Sequence, residues 1–205
     1  AYTLLGELRM RKSEAEIEIL RKACQISAEA HVEVMKATRP GTNERALHGV
    51  FIRAIMERGA ATEAYGGIFA GGANSTYLHY RFNESTLKDG DILLVDAGAE
   101  YNYYSGDITR TYPVNGRFTE AQARIYQKVL DVQKSLVSAV KPGLEHAELQ
   151  KMAISGLVDI MIDEKLLKGS KEEIIRTGSY TKYYPHGVSH LLGLDTHDAG
   201  LLMAQ

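Results

Sequence analysis

Residues 36–47 read KATRPGTNERAL, and residues 138–149 read SAVKPGLEHAEL. Pro40-Gly41 aligns with Pro142-Gly143 and Leu47 with Leu149, at an offset of 102. Each Pro-Gly stands between two stretches of helical periodicity. Residues 13–37 precede the first and about 44–58 follow it; residues 119–140 precede the second and about 145–167 follow it. Ser13 with Glu16, and Thr119 with Gln122, have the spacing of capping boxes, which satisfy backbone N–H groups at a helix start. A helix pair joined at Pro-Gly and used twice predicts two half-domains related by a pseudo-twofold. The plainer reading is that Pro-Gly only punctuates helices; the matched flanks favour duplication.

Beyond the first helix pair the chain turns to Tyr, Val, Ile and Thr broken by Gly and Asn-Ser, which is strand and turn material. Beyond the second pair come only TKYYPHGVSHLLGLDTHDAGLLMAQ. If the halves match, the second lacks its counterpart of about residues 87–114, and the sheet is left with an unpaired edge. An α+β fold follows, with helix pairs laid on a mainly antiparallel sheet.

The 205 residues are 44% hydrophobic, enough for a real core, and carry a net charge of −2. No Lys/Arg block offers a nucleic-acid footprint, and no apolar run is long enough to span a bilayer. The single cysteine, Cys24, has no internal disulfide partner, which points to a reducing, cytoplasmic setting. The opening AYTLLGELRMRKS has neither an initiator Met nor the apolar block of a signal peptide. Residues 1–12 therefore read as a linker from a preceding domain, and 13–205 as one domain with half-repeats at about 13–114 and 119–205.

Residues 92–114, ILLVDAGAEYNYYSGDITRTYPV, read as a hairpin. A two-residue turn at Tyr101-Asn102 would set Asp96 opposite Asp107 and Leu94 opposite Thr109, with the opposed Cβ atoms about 5 Å apart. Two carboxylates this close repel, and Asp96 ends an apolar run where an unpaired charge is costly. A bound dication removes both problems, and an oxygen-rich set suits Mn²⁺, Co²⁺ or Zn²⁺. The alternative is that both are turn residues beside Gly, which suits Asp107 after Ser105-Gly106 better than Asp96 after four apolar residues.

Residues 186–200, HGVSHLLGLDTHDAG, hold His186, His190 and His197. The His186–His190 spacing resembles a zinc-protease helix, but Gly187 stands where that helix has its general base. Gly187 and Gly193 also make a poor helix interior. Alternation of His190, Leu192 and Leu194 predicts an extended strand instead.

Asp-x-Gly at Asp96, Asp-Ile-Thr-Arg at Asp107, and HGVSHLLGLDTHD, in that order, resemble the aminopeptidase P and prolidase branch of the pita-bread metallopeptidases. LRMRKSEAEIEILRKACQISAEAH resembles the usual opening of that domain. The resemblance implies five ligands for two divalent metal ions, Mn²⁺ foremost. Asp96, Asp107 and His190 match three of them. Two glutamates would lie beyond Gln205, so this chain alone would bind metal weakly and turn over little. His79 in YLHYRFN, His186 and His197 match residues that contact the scissile carbonyl and the substrate backbone. The implied substrate is a peptide with proline second, cut by an Xaa-Pro aminopeptidase; a prolidase or a non-catalytic peptide-binding module are the alternatives. A homo-oligomer is implied for the full-length protein. His31, His48 and His146 match no motif and are expected to be solvated or satisfied. Arg110 and Tyr112 are expected to cover the sheet rather than to orient Asp107.

Overall fold

The computed structural model describes residues 2–200, which fall into two compact units, residues 2–118 with 190–200 and residues 119–189.

In the first unit, helix α1 spans Tyr2–Met10, within the stretch expected to be a linker, and α2 spans Glu14–Ala37. The Ser13–Glu16 capping box forms at the start of α2. Ala23, Ile26, Ser27, Ala30, His31 and Val34 make its buried face, at the three- and four-residue spacing of one helical side. The helix stops at Thr38, whose N–H and hydroxyl both return to the Val34 carbonyl at 3.0 and 2.8 Å. Gly41 then takes φ 88°, a conformation open to glycine without a Cβ penalty, and α3 (Glu44–Glu57) begins after an Asn43 cap.

Strands β1 (Thr62–Glu63), β4 (Ala99–Tyr101) and β5 (Tyr104–Ser105) form one small sheet. Strands β2 (Ile68–Gly71), β3 (Ile92–Ala97) and β6 (Ile108–Pro113) form the other, with β3 in the middle and all pairs antiparallel. On β3, Leu93, Val95 and Ala97 are buried and join Ile26, Ala30, Val34, Leu47, Phe51 and Ile55 in the main core. Side chains alternate across a strand. The same step therefore turns Leu94 and Asp96 to the opposite face, where Leu94 packs with Ile68, Ala70 and Tyr80.

The hairpin register differs from expectation. Asn102 and Tyr103, at φ 49° and 70°, form the turn, and Tyr101 pairs with Tyr104. Two successive left-handed residues suit a tight hairpin because their twist matches that of the strands. The tip thus lies one residue later than Tyr101-Asn102, and the ladder moves by two. Asp96 faces Thr109 and Leu94 faces Thr111. Asp107 is not directly opposite Asp96 but diagonal to it.

Between β3 and β4, and again between β5 and β6, the chain passes Gly98 and Gly106. A Cβ on Gly98 would overlap the Gly106 carbonyl, and one on Gly106 would overlap the Ser27 hydroxyl and reach within 2.9 Å of the Ala23 carbonyl. Helix α2 presses its backbone against the hairpin here. Ser27 Oγ accepts from Ala99 N at 2.9 Å and donates to Ala23 O at 2.7 Å. His31 Nε2 donates to the Ala97 carbonyl at 3.0 Å, and burial lowers its pKa, keeping the ring neutral.

Residues 190–200 form no strand. Their backbone bonds close on themselves, Gly193 N to Asp195 O and Asp198 N to Leu191 O, and Ser105 N reaches Gly193 O from β5. The segment is fastened from its side chains. Asp198, 1% exposed, pairs with Lys12 at 2.9 Å and with Arg9.

The second unit repeats the first one's local grammar. Helix α4 (Glu120–Ala139) starts at a Thr119–Gln122 capping box, and α5 (His146–Asp163) follows a turn in which Gly143 takes φ 91°. Leu136, Leu149 and Ala153 make its core with Val132, Leu144 and Val188. A short α6 (Lys171–Thr177), not read from the sequence, is capped by Ser170 and stopped by left-handed Gly178. Among the described residues no helix is long and apolar enough to cross a membrane.

Two outcomes follow from this packing. Gly106→Ala should destabilise the first unit by about 1–3 kcal/mol, the range for overpacking, measured by urea denaturation; unchanged stability would refute the close approach. In the second unit, the hydrogen bonds of Arg124 and Lys128 hold Glu164 down to about 2, from an ordinary 4.5. A depressed carboxyl adds stability above its unfolded pKa, and that stability is lost as pH falls through the folded one. Glu164→Gln should therefore lower the melting temperature near neutral pH, and its gap from wild type should close as the pH approaches 2. A gap independent of pH would show that the charge contributes nothing.

Candidate active site

Asp96 leaves β3 on the face away from the helices, and Asp107 enters from just before β6. Between them stands Tyr65. Its segment is tied down by Ala64 N to Gly98 O at 2.8 Å and by Glu63, which takes hydrogen bonds from His48 at 2.7 Å and Gly67 N at 3.3 Å. The Tyr65 hydroxyl lies 2.5 Å from Asp96 Oδ1 and 2.8 Å from Asp107 Oδ1. A phenol has one proton, so it cannot satisfy two carboxylates. Burial, then the two carboxylates, push the Tyr65 pKa far up, so the phenol stays a donor.

Asp107 Oδ2 lies 3.0 Å from His190 Nε2. The other ring nitrogen, Nδ1, is 2.9 Å from the Leu191 carbonyl, which can only accept, so Nδ1 carries a proton. The Asp107 carboxylate likewise only accepts, so Nε2 donates to it. With Nδ1 tied to a carbonyl, Nε2 is the nitrogen that could exchange its proton for a metal ion, the usual arrangement behind a metal-binding imidazole. Burial, with the Asp107 charge, raises the pKa of Asp96. Burial pushes Asp107 the same way, but hydrogen bonds from His190 and Tyr65 outweigh it and leave that carboxyl below its ordinary value. The Asp107 hydrogen bond in turn raises His190.

A cavity of about 410 Å³ opens over this group, lined by Ala64, Tyr65, Ile68, His79, Arg81, Asp96, Asp107, Thr196 and His197. The His197 ring packs on His190 with centroids 4.1 Å apart. His79 takes a left-handed φ of 55°, uncommon for a non-glycine residue and a frequent mark of a functional position. Asp96, Asp107, His79, His190 and His197 thus gather in one unit. His186 belongs to the unit of residues 119–189, where its Nδ1 lies 3.0 Å from the Gly187 carbonyl and its ring packs on Tyr184. Among the described residues no set of three or more His, Cys, Asp and Glu side chains closes to metal-ligating geometry. Asp107 and His190 touch, and Asp96 joins them through the phenol.

The remaining expectations sort cleanly. His31, His48 and His146 are each partnered, by Ala97 O, Glu63 and Val188 O. Arg110 is exposed and turns to the Thr109 carbonyl, while Tyr112 meets Thr38 on the helix side. Asp198 serves Arg9 and Lys12 rather than His197. Tyr65, Arg81 and Thr196 escaped the sequence reading. Thr196 Oγ1 is buried without a partner among the described residues, and no sequence signal marks it. Tyr65 stands before the Gly66-Gly67 pair, a weak hint of a close approach.

The model of metallopeptidase family M24 matches residues 18–205. Xaa-Pro aminopeptidase of Escherichia coli is 40% identical over 198 residues, which cover 97% of this chain and 45% of that protein. A probable Xaa-Pro aminopeptidase of Phaeosphaeria nodorum is 42% identical over 202 residues, 97% of this chain and 43% of its own length. The structure of E. coli aminopeptidase P with the inhibitor Pro-Leu superposes with a TM-score of 0.95 at 40% identity, over 98% of this chain and 46% of that one. Proline aminopeptidase P II of Yersinia pestis superposes at 0.94 with 42% identity, over 96% and 45%. The chain spans somewhat under half the length of these relatives, and the mixed α+β architecture expected from its sequence is theirs. With the ordered motifs, the fold and the family match in agreement, the chain belongs to metallopeptidase family M24.

Proposed function

We propose that the protein hydrolyses the Xaa-Pro bond at the amino terminus of peptides, as a Mn²⁺-dependent Xaa-Pro aminopeptidase. The observation that carries this reading is the phenol shared between two carboxylates, with an imidazole nitrogen 3.0 Å from one of them. One phenol proton serves two carboxylates, and a dication bound there would supply positive charge to both. Asp96, Asp107 and His190 would hold it: hard oxygens and one imidazole, without thiolate, suit Mn²⁺, with Co²⁺ or Zn²⁺ as substitutes. Bound there, a divalent ion lowers the pKa of water and polarises a carbonyl.

The chain's own groups account for the rest. His79 and His197 offer N–H donors at the cavity where charge develops on the scissile carbonyl, and His186 is assigned the same pocket by the resemblance. Tyr65, held protonated, bridges the two carboxylates with its single proton. The proline amide has no N–H, so the site needs no acceptor for one; Ala64 and Ile68 give the cavity an apolar wall. Residues 13–205 are read as the pita-bread domain with its two half-repeats, in a cytoplasmic homo-oligomer.

Arg81 favours a second reading. Its guanidinium lines the cavity and makes no ion pair within 4.0 Å among the described residues. A free carboxylate close behind proline would pair with it, which is the chemistry of an Xaa-Pro dipeptidase.

The full-length protein should release the first residue of Xaa-Pro-Yaa peptides with Mn²⁺ and stop on chelation. Asp107→Ala and His190→Ala should each cost on the order of 100-fold or more in kcat/KM, since even residues supporting metal ligands cost 10–100-fold. Cleavage of Xaa-Pro dipeptides alone would select the dipeptidase. Metal-free protein with no cleavage of either would return the chain to a peptide-binding module. Residues 1–205 on their own should bind Mn²⁺ weakly by calorimetry and turn over little; robust activity from them would overturn the three-ligand assignment.

A further inference from the structure

Residues 72–85 run as a strap from β2 back to the core, beginning with a 3₁₀ turn and pairing with no strand. This strap delivers His79 and Arg81 to the cavity. Little apolar packing holds it. Tyr77, Leu78 and Phe82 are 68%, 61% and 70% exposed, and Tyr80 alone of its large side chains is buried.

What fixes the strap is Glu44, the first residue of α3, which is 0% exposed. Its Oε1 accepts from Gly71 N at 2.8 Å and Asn74 Nδ2 at 3.0 Å. Its Oε2 accepts from the Tyr80 hydroxyl at 3.0 Å and Ser85 N at 2.9 Å. Its own N–H donates to the Ser85 carbonyl at 2.9 Å. One carboxylate therefore gathers the entry, the early turn, the residue after His79 and the exit. Asn83 adds a second anchor, accepting from Phe69 N and donating to Gly67 O; Arg45 adds an exposed bond to the Phe82 carbonyl. Both left-handed non-glycine residues of the strap, His79 and Asn83, lie between the two ends that Glu44 holds. Backbone strain of this kind persists only where the surroundings over-determine it.

We infer that Glu44 is a positioning residue for the reaction, setting His79 and Arg81 in the cavity from the far side of the strap. The inference rests on the reading of the site given under Proposed function. It differs from a general stability role in acting through His79. Gln is isosteric, yet it replaces one acceptor arm with N–H groups, which then face the N–H of Gly71 or Ser85.

The test is Glu44→Gln in the full-length protein, alone and combined with His79→Ala. Amide hydrogen exchange over residues 74–85 should quicken about 10-fold or more while the global melting transition stays in place, because only a local opening is eased. Cleavage of Xaa-Pro-Yaa should fall about 10-fold in kcat/KM in the single variant, yet Glu44→Gln should change His79→Ala by less than about 2-fold, since residues acting as one unit do not add. Unchanged exchange in the strap, or two losses that multiply, would overturn the inference. Should Glu44→Gln fail to fold, Asn74→Ala removes one of the four donors and is read in the same two ways. If wild type cuts no Xaa-Pro peptide, the reading of the site falls by itself, and the exchange data still decide whether Glu44 sets the strap.

Discussion

The contact on which this site depends is backbone against backbone. Gly98 and Gly106 let two hairpin segments and α2 approach more closely than any Cβ would permit. Ser27 and His31, polar residues on a buried helix face, are explained by that approach: each hydrogen-bonds a hairpin backbone group, Ala99 N or Ala97 O. Asp96 and Asp107 flank this crossing, two residues before Gly98 and one after Gly106. Their spacing is thus set by packing rather than by their own repulsion.

Placing two carboxylates and an imidazole together is costly, and the chain distributes the cost. Burial drives Asp96 toward the neutral form, while hydrogen bonds keep Asp107 below its ordinary pKa. Neighbouring carboxylates pushed in opposite directions are a recurring sign of chemistry. Support comes from outside the cavity: His48 and Glu63 steady the segment of Tyr65, and Arg9 and Lys12 bury their charges on Asp198 beside the histidines. Single-partner surface pairs contribute little, but a buried carboxylate held by two cations is expensive to break.

Much of the fold was legible because its signals are local. Capping boxes at Ser13 and Thr119 and the glycines at 41 and 143 encode helix ends within a few residues, and α2, α3, α4 and α5 start and stop close to where those signals fall. The hairpin register was not legible, because it turns on Tyr103 adopting a left-handed conformation that side-chain propensity disfavours. Residues 190–200 alternate like a strand, yet a strand needs a neighbour, and pairing is not a local property. In the site, Asp96 stood out as a charge ending an apolar run. Tyr65 and Glu44 did not. One reaches the carboxylates from a segment more than thirty residues upstream, and the other looks like any acid in a first helical turn.

The first unit is discontinuous in sequence: residues 119–189 leave it and 190–200 come back. On a ribosome, the hairpin, α2 and the cavity floor can assemble before the imidazole-bearing segment has been made. Closing a flexible excursion of that length carries an entropic penalty growing as the logarithm of its length, and packing α4 on α5 shortens the flexible part. Both aspartates can therefore be in place before His190 is made to meet Asp107, a window in which Tyr65's hydroxyl is the donor the two acids share.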